Sequence, residues 1–147
     1  MHIDKAIQLA YEHYQAGNLQ QAEEICREIL KVQTDNAQVY NNLGIILDKK
    51  GQIDEAITCY RSALQFDPTL FDVYFNLGNA LKEKNQLDEA IHCYRRALEL
   101  DPENARAHWN ISLYYLLTGN FTEGWKEYEW RWKLGELEYH ARQDFPL

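Results

Sequence analysis

One stretch of this chain occurs twice. Residues 37–70 and 71–104 align without an insertion, and more than half of their 34 aligned positions are identical. A sequence that repeats at a fixed period of about 20–50 residues folds as an array of small units, each of which buries its apolar face against the next. We therefore expect a stack of similar units rather than one closed domain.

The repeat continues in weaker form toward both ends. We call a set of equivalent positions, spaced 34 residues apart, a column. One column is typical of a turn and consists of Gly17, Gly51, Asn85 and Gly119. Another is typical of a core and consists of Cys26, Tyr60, Tyr94 and Tyr128. These columns predict four units at residues 3–36, 37–70, 71–104 and 105–138, followed by a tail or the start of a linker at 139–147.

Each unit has the pattern of two helices joined by a tight turn. Apolar residues recur every three or four positions in 19–30, which is the period of a helix with one buried face. The glycine at position 17 tolerates the left-handed backbone of a helix end. Pro68 and Pro102 end the second helices of the two clear units, because proline cannot continue a helix.

The clear units resemble the tetratricopeptide repeat family. The residues that carry the resemblance are Tyr40, Leu43, Gly44, Leu47, Ala56, Tyr60, Ala63 and Pro68, and again Tyr74, Leu77, Gly78, Leu81, Ala90, Tyr94, Ala97 and Pro102. The resemblance implies an all-α fold, a superhelix (α-solenoid) of four helix-turn-helix repeats. It also implies that the first helix of each pair lines a concave groove.

The fourth unit departs from the pattern. Ser112 replaces the glycine of its column and Gly124 replaces the alanine of another, which we interpret as a compensated exchange at the helix crossing. Trp130 lies in a column otherwise held by polar residues, so we expect it to face solvent. We expect the tail, with its apolar residues Leu137, Tyr139 and Phe145, to fold back as a C-terminal cap.

The end of the fourth unit also resembles one group of bacterial proteins. The motif FxxGWxxYEWRW at residues 121–132 is similar to the last repeat of tetratricopeptide proteins in which a glycosyltransferase-like domain follows the array. This resemblance implies that the chain is the N-terminal part of a longer, bacterial protein.

Composition restricts the classes of partner. The formal net charge of −8 and the pI near 5.1 argue against nucleic acid and anionic membrane surfaces, which require clustered lysine and arginine. The sequence has no apolar run of the ~20 residues that a membrane helix needs. The N-terminal segment carries acids and does not resemble a signal peptide, so we expect a cytoplasmic location.

Residue types that support catalysis or metal binding do not form a motif. Cys26, Cys59 and Cys93 fall on predicted second helices, without the spacing of a zinc site. His108 shares a column with two tyrosines, which favours packing over catalysis. We expect this chain to be non-catalytic and to need no cofactor or metal.

A column of side-chain amides suggests a binding surface on the first helices. It consists of Gln8, Asn42, Asn76 and Asn110, and Asn41 and Asn79 widen it. Asparagine is a mediocre residue inside a helix, so its recurrence indicates a role. An amide offers donors and an acceptor to the backbone of an extended peptide. The column resembles the asparagine ladder of the nucleocytoplasmic O-GlcNAc transferases, which holds polypeptides. In the alternative interpretation, each amide bonds a neighbouring helix and only shapes the stack.

The predicted groove becomes apolar toward its C-terminal end. The column of Asn41 continues as Phe75 and Trp109, and Leu113, Leu116 and Leu117 follow Trp109 on one helix. An aromatic anchor beside a polar strip is typical of a binding hot spot. In the alternative interpretation, this patch is not a binding surface, because the tail or a following domain covers it.

The sequence therefore favours a protein-interaction module that binds a protein or peptide as an extended polypeptide in the groove. One alternative is the substrate-recruiting or dimerising region of a larger glycosyltransferase-like enzyme. Another is a scaffold that self-associates through Trp125, Trp130 and Trp132.

Overall fold

The computed structural model describes residues 2–132, and this part of the chain contains eight helices and no strand. The helices are α1 (Ile3–Gln15), α2 (Leu19–Val32), α3 (Ala37–Lys49), α4 (Ile53–Phe66), α5 (Phe71–Glu83), α6 (Leu87–Leu100), α7 (Ala105–Leu117) and α8 (Phe121–Tyr128). Each helix packs on the next, most extensively within the pairs that begin at α1, α3, α5 and α7. The fold is the all-α superhelix that the family resemblance implies. The tail expected to cap it lies outside the described residues.

The turn inside each pair has the same left-handed geometry. Its φ angle is +79° at Gly17, +78° at Gly51, +82° at Gly119 and +59° at Asn85. In the second pair the backbone N–H of Gln52 reaches back to the carbonyl of Leu47 at 2.9 Å, which satisfies an end carbonyl of α3. The recurrence of glycine or asparagine in the turn column is thus a backbone requirement, since these angles strain most residues with a Cβ.

The core of the clear pairs depends on a tyrosine packed against a glycine. A Cβ added at Gly44 would lie 2.5 Å from Cε1 of Tyr60, and one added at Gly78 would lie 2.6 Å from Cε1 of Tyr94. Both tyrosines are buried. The absent side chain therefore lets the ring fill the space between the two helices of a pair.

An ion-pair network ties the first pair to the second. The buried Glu23 on α2 accepts from Nε of Arg27 at 2.7 Å and from Nζ of Lys50, at the end of α3, at 2.5 Å. Burial opposes ionisation of Glu23, but the hydrogen bonds and charges of Lys50 and Arg27 outweigh it and lower its pKa. Arg27 also reaches Glu55 on α4, and Arg61 reaches Glu89 on α6 in the same way one repeat later.

The fourth pair differs from the others in its second helix. α8 has 8 residues, whereas α2, α4 and α6 each have 14. A Cβ on Gly124 would meet the side chain of Leu116 on α7 at 2.7 Å, so Leu116 is the nearest neighbour of this glycine. The compensated exchange with Ser112 stays a prediction. Ser112 is buried, and its hydroxyl donates to the carbonyl of Trp109 at 2.7 Å.

Trp130 does not face solvent as its column predicts. The helical register that supports this prediction ends with α8 at Tyr128, and Glu129 and Trp130 form a turn. The half-buried Trp130 ring lies parallel to His108, with the ring centroids 3.9 Å apart. His108 is held from both sides, by the carboxylate of Glu127 and by the carbonyl of Pro102 at 2.8 Å.

Candidate functional site

The amide column lies on the first helices, where the repeat places it. Gln8 on α1 is exposed, and Asn42 on α3, Asn76 on α5 and Asn110 on α7 are half-buried. We call these four residues the amide strip. They occupy the same register in successive helices, so the strip crosses all four pairs.

One member of the strip is bonded inside the stack. Nδ2 of Asn76 donates to Oδ1 of Asn41 at 3.2 Å, and Asn41 is only 6% exposed. Asn79 accepts from the hydroxyl of Tyr94 at 2.8 Å. Asn41, Asn76 and Asn79 therefore bond neighbouring helices to one another. This is the role of shaping the stack that the alternative interpretation of the amides describes.

The other members retain unused hydrogen-bonding groups. Oδ1 of Asn42 accepts from Gln38 at 3.1 Å, and Oδ1 of Asn110 accepts from Nζ of Lys82 at 2.9 Å. Within residues 2–132, the amide NH₂ groups of Asn42 and Asn110 have no acceptor. Gln8 donates to Glu12 at 3.2 Å. The strip thus presents amide donors on α3 and α7, with Asn76 fixed between them.

The apolar end of the predicted groove is only partly accessible. Phe75 packs against Tyr94 with the ring centroids 5.8 Å apart, and Trp109 packs against Tyr128 at 5.2 Å. Leu113 and Leu117 are exposed, at 37% and 77%. The four-residue patch expected on α7 is therefore divided, because Leu116 contacts α8 at Gly124 and Trp109 contacts Tyr128.

A pocket that the sequence analysis missed opens between α1 and α3. It has a volume of about 120 Å³ and is lined by Ala10, Tyr11, Tyr14, Cys26, Asn42, Ile45 and Ile46. Asn42 belongs both to this pocket and to the amide strip. A sequence signal existed, since Tyr14 is the aromatic member of a column that holds Asp48 and Lys82 in the next two units.

Two charged residues, Asp48 and Lys49, follow the pocket residues on α3 and have different electrostatic partners. Burial raises the pKa of the half-buried Asp48 on α3, and the nearby carboxylate of Glu83 on α5 raises it further. The ammonium of Lys49 lies over the ring of Tyr14, 5.0 Å from its centroid, and 3.5 Å from its hydroxyl. The carboxylate of Asp48 is therefore repelled by that of Glu83.

The tryptophans of the fourth unit are unequally accessible. Trp125 is 57% exposed and Trp132 is 67% exposed, whereas Trp130 is half-buried against His108. The guanidinium of Arg131 lies over the Tyr128 ring, 4.4 Å from its centroid. Of the three tryptophans predicted for self-association, two present most of their surface to solvent.

The histidines, cysteines and acidic residues within residues 2–132 do not form a metal site. No three of these side chains gather as metal ligands. Cys26, Cys59 and Cys93 lie on second helices as predicted and are free thiols, and burial raises the pKa of each to about 11. No helix in residues 2–132 is long and apolar enough to cross a membrane.

Comparison with known families identifies the repeat. A family model described as TPR repeat matches residues 46–85 and 78–119, and one described as tetratricopeptide repeat matches residues 25–58. No curated protein sequence matches the chain.

Solved structures share the fold. The crystal structure of MamA superposes with a TM-score of 0.85 at 22% identity, covering 95% of this chain and 81% of that one. A mutant of MamA gives a TM-score of 0.76 at 27% identity, covering 91% and 78%. A mutant O-GlcNAc transferase of Thermobaculum terrenum gives a TM-score of 0.70 at 29% identity, covering 77% of this chain but only 22% of the transferase.

Proposed function

Because the chain belongs to the tetratricopeptide repeat family, we propose that it is a protein-interaction module that binds an extended polypeptide along its first helices. The groove in this proposal is the concave side of the superhelix. The observation that carries the proposal is the pair of unused amide NH₂ groups on Asn42 and Asn110, in the same register of α3 and α7.

The spacing of the strip matches an extended peptide. Packed helices lie roughly 8–10 Å apart, and an extended chain advances about 3.3 Å per residue. Successive first helices contact each other much less than the helices of a pair do, so they lie at least that far apart and correspond to about three residues of ligand or more. The free donors of Asn42 on α3 and Asn110 on α7 lie two such steps apart, which corresponds to about six ligand residues or more. They bind backbone carbonyls, which occur in every sequence, so this contact favours conformation over sequence.

The test compares binding with the strip intact and with it removed. The probe is a library of random nine-residue peptides passed over the immobilised protein, and the variant is Asn42→Ala/Asn110→Ala. Loss of two hydrogen bonds predicts peptide retention weakened by about tenfold. The matched control is Gln21→Ala/Gln65→Ala, which removes two exposed amides from the second helices α2 and α4. Equal retention by the two double variants would contradict the proposal.

A second candidate is the recruiting region of a larger glycosyltransferase-like enzyme. It is favoured by the similarity to the repeat-containing transferase of Thermobaculum terrenum and by the motif at residues 121–132. The intact mass of the native gene product tests it. A mass well above the 17.4 kDa of this chain is expected, and a mass equal to it would exclude this candidate.

Self-association is a third interaction that this chain offers. Phe121, Trp125 and Trp132 are exposed aromatic side chains of the fourth unit, and aromatic side chains are enriched in protein interfaces. Trp125 packs against Tyr128 with the ring centroids 5.3 Å apart, and Tyr128 packs against Trp109 at 5.2 Å, so this interface adjoins the apolar end of the groove.

A further inference from the structure

The pocket between α1 and α3 is shaped to take one side chain of a ligand. Its walls are Tyr11, Tyr14 and Ile45, and the buried side chains of Ala10 and Cys26 also line it. An apolar side chain that enters the pocket loses contact with water on three sides. The free energy of binding becomes more favourable in proportion to the apolar area that is removed from water.

The volume of the pocket restricts which side chain fits. An apolar cavity of about 150 Å³ accommodates benzene. At about 120 Å³, this pocket accommodates leucine or isoleucine and is too small for the indole of tryptophan. Alanine enters it but leaves most of the lining uncovered.

Asn42 joins the pocket to the amide strip. Its side chain lines the pocket, and its NH₂ group has no acceptor within residues 2–132. A peptide backbone bonded to Asn42 therefore passes directly over the pocket, and the side chain beside that bond is the one that enters.

Charge complementarity selects the neighbouring ligand residue. Asp48 lies one helical turn beyond Ile45, is half-buried, and interacts unfavourably with the carboxylate of Glu83. Asp48 lies on α3 in the turn that follows the pocket residues Ile45 and Ile46, so its carboxylate is within the reach of a ligand residue beside the pocket. Lys49 is directed at Tyr14. A cation supplied by the ligand relieves the repulsion between the two carboxylates.

We propose that the groove selects segments of partner proteins in which leucine or isoleucine, seated in the pocket of Tyr11, Tyr14 and Ile45, is flanked by a basic residue that pairs with Asp48. The inference rests on the proposed function, since it assigns a sequence preference to the same groove. The occupant is a segment of another protein, held extended by the amide strip.

The first test varies only the peptide. Fluorescein-labelled nine-residue alanine–glycine peptides carry leucine, alanine or tryptophan at the centre, with lysine or alanine two positions away on both sides. Fluorescence anisotropy with the full chain gives each dissociation constant. We expect the leucine peptide to bind at least about tenfold tighter than the alanine peptide, and the tryptophan peptide to gain nothing over alanine. No protein variant is needed, so this arm does not depend on a mutant that folds.

The second test removes each contact from the protein. Ile45→Trp fills the pocket and is expected to abolish the preference for leucine, whereas the control Ile45→Val retains it. Asp48→Asn is expected to abolish the preference for flanking lysine, whereas Asp35→Asn, in the loop before α3, retains it. Circular dichroism melting of each variant separates lost recognition from lost folding.

The outcomes distinguish the inference from the proposed function. Binding of every peptide with the same affinity leaves the module function standing and overturns the pocket. Failure of every peptide to bind at millimolar concentration overturns both. If the Asp48→Asn variant still prefers flanking lysine, and also still prefers leucine, the assignment of the charge contact to Asp48 is overturned. Conversion of an oligomer to a monomer by Ile45→Trp would identify a second copy of this chain as the occupant, and would overturn the assignment to another protein.

Discussion

The side-chain amide of Asn76 donates a hydrogen bond to Oδ1 of Asn41 at 3.2 Å, although 35 positions separate the two residues. The bond joins α5 to α3, which belong to neighbouring pairs. It assigns Asn76 to the packing of the superhelix, while Asn42, in the same column, keeps its NH₂ group available.

The first prediction concerns this bond. Asn76→Ala leaves the oxygen of the buried Asn41 without its donor, which should lower the free energy of unfolding by about 1–2 kcal/mol. Asn42→Ala should change it by less than about 0.5 kcal/mol. Urea denaturation measures both. Equal losses in the two variants would contradict the division of roles within the strip.

The second prediction concerns the glycine beneath Tyr60. Gly44→Ala places a Cβ 2.5 Å from the ring, so the ring must move and the free energy of unfolding should fall by about 2 kcal/mol. The loss should be smaller when Tyr60→Leu is already present, because the clashing ring atoms are gone. A double-mutant cycle by chemical denaturation measures the coupling. Additive losses would show that Tyr60 is not the group displaced.

The third prediction concerns the network around Glu23. Glu23→Gln removes a buried charge that pairs with Lys50 and Arg27, and should cost about 2 kcal/mol, since both cations remain partly solvated. The control Glu28→Gln, which breaks the exposed pair with Lys31, should cost less than about 1 kcal/mol.

This network also has a pH dependence of defined sign. The pKa of Glu23 in the folded state is below its ordinary value of 4.5, so its stabilisation is fully present above that value and is lost as the pH falls through the folded pKa. The difference in stability between wild type and Glu23→Gln should therefore shrink below pH 4.5. A constant difference from pH 7 to pH 3 would be inconsistent with the lowered pKa.

The fourth prediction separates the tryptophans of the fourth unit. Trp130→Ala removes the ring stacked on His108 and should lower the free energy of unfolding by about 1 kcal/mol or more. The double variant Trp125→Ala/Trp132→Ala removes the two exposed tryptophans. It should leave the free energy of unfolding nearly unchanged and should reduce self-association. Light scattering at micromolar concentration measures the association. A monomeric wild-type protein would exclude this interface.

The sequence by itself determined the repeating architecture. The 34-residue period predicts helix pairs because each unit contains its own apolar stripes, turn and helix ends, all encoded within a few residues of one another. The left-handed φ angles at Gly17, Gly51, Asn85 and Gly119 follow from the same local chemistry. The sequence also predicts the amide column, since a period in sequence becomes a line of residues in a stack.

The tertiary structure decided which of those residues are available. Asn41 and Asn42 are adjacent in sequence, yet one is buried under Asn76 and the other borders a pocket, because contacts between pairs join residues a full repeat apart. Trp130 lies against His108 because α8 ends early and the helical register no longer applies. The pocket itself is a space between α1 and α3, and its volume depends on how side chains from three helices pack against one another.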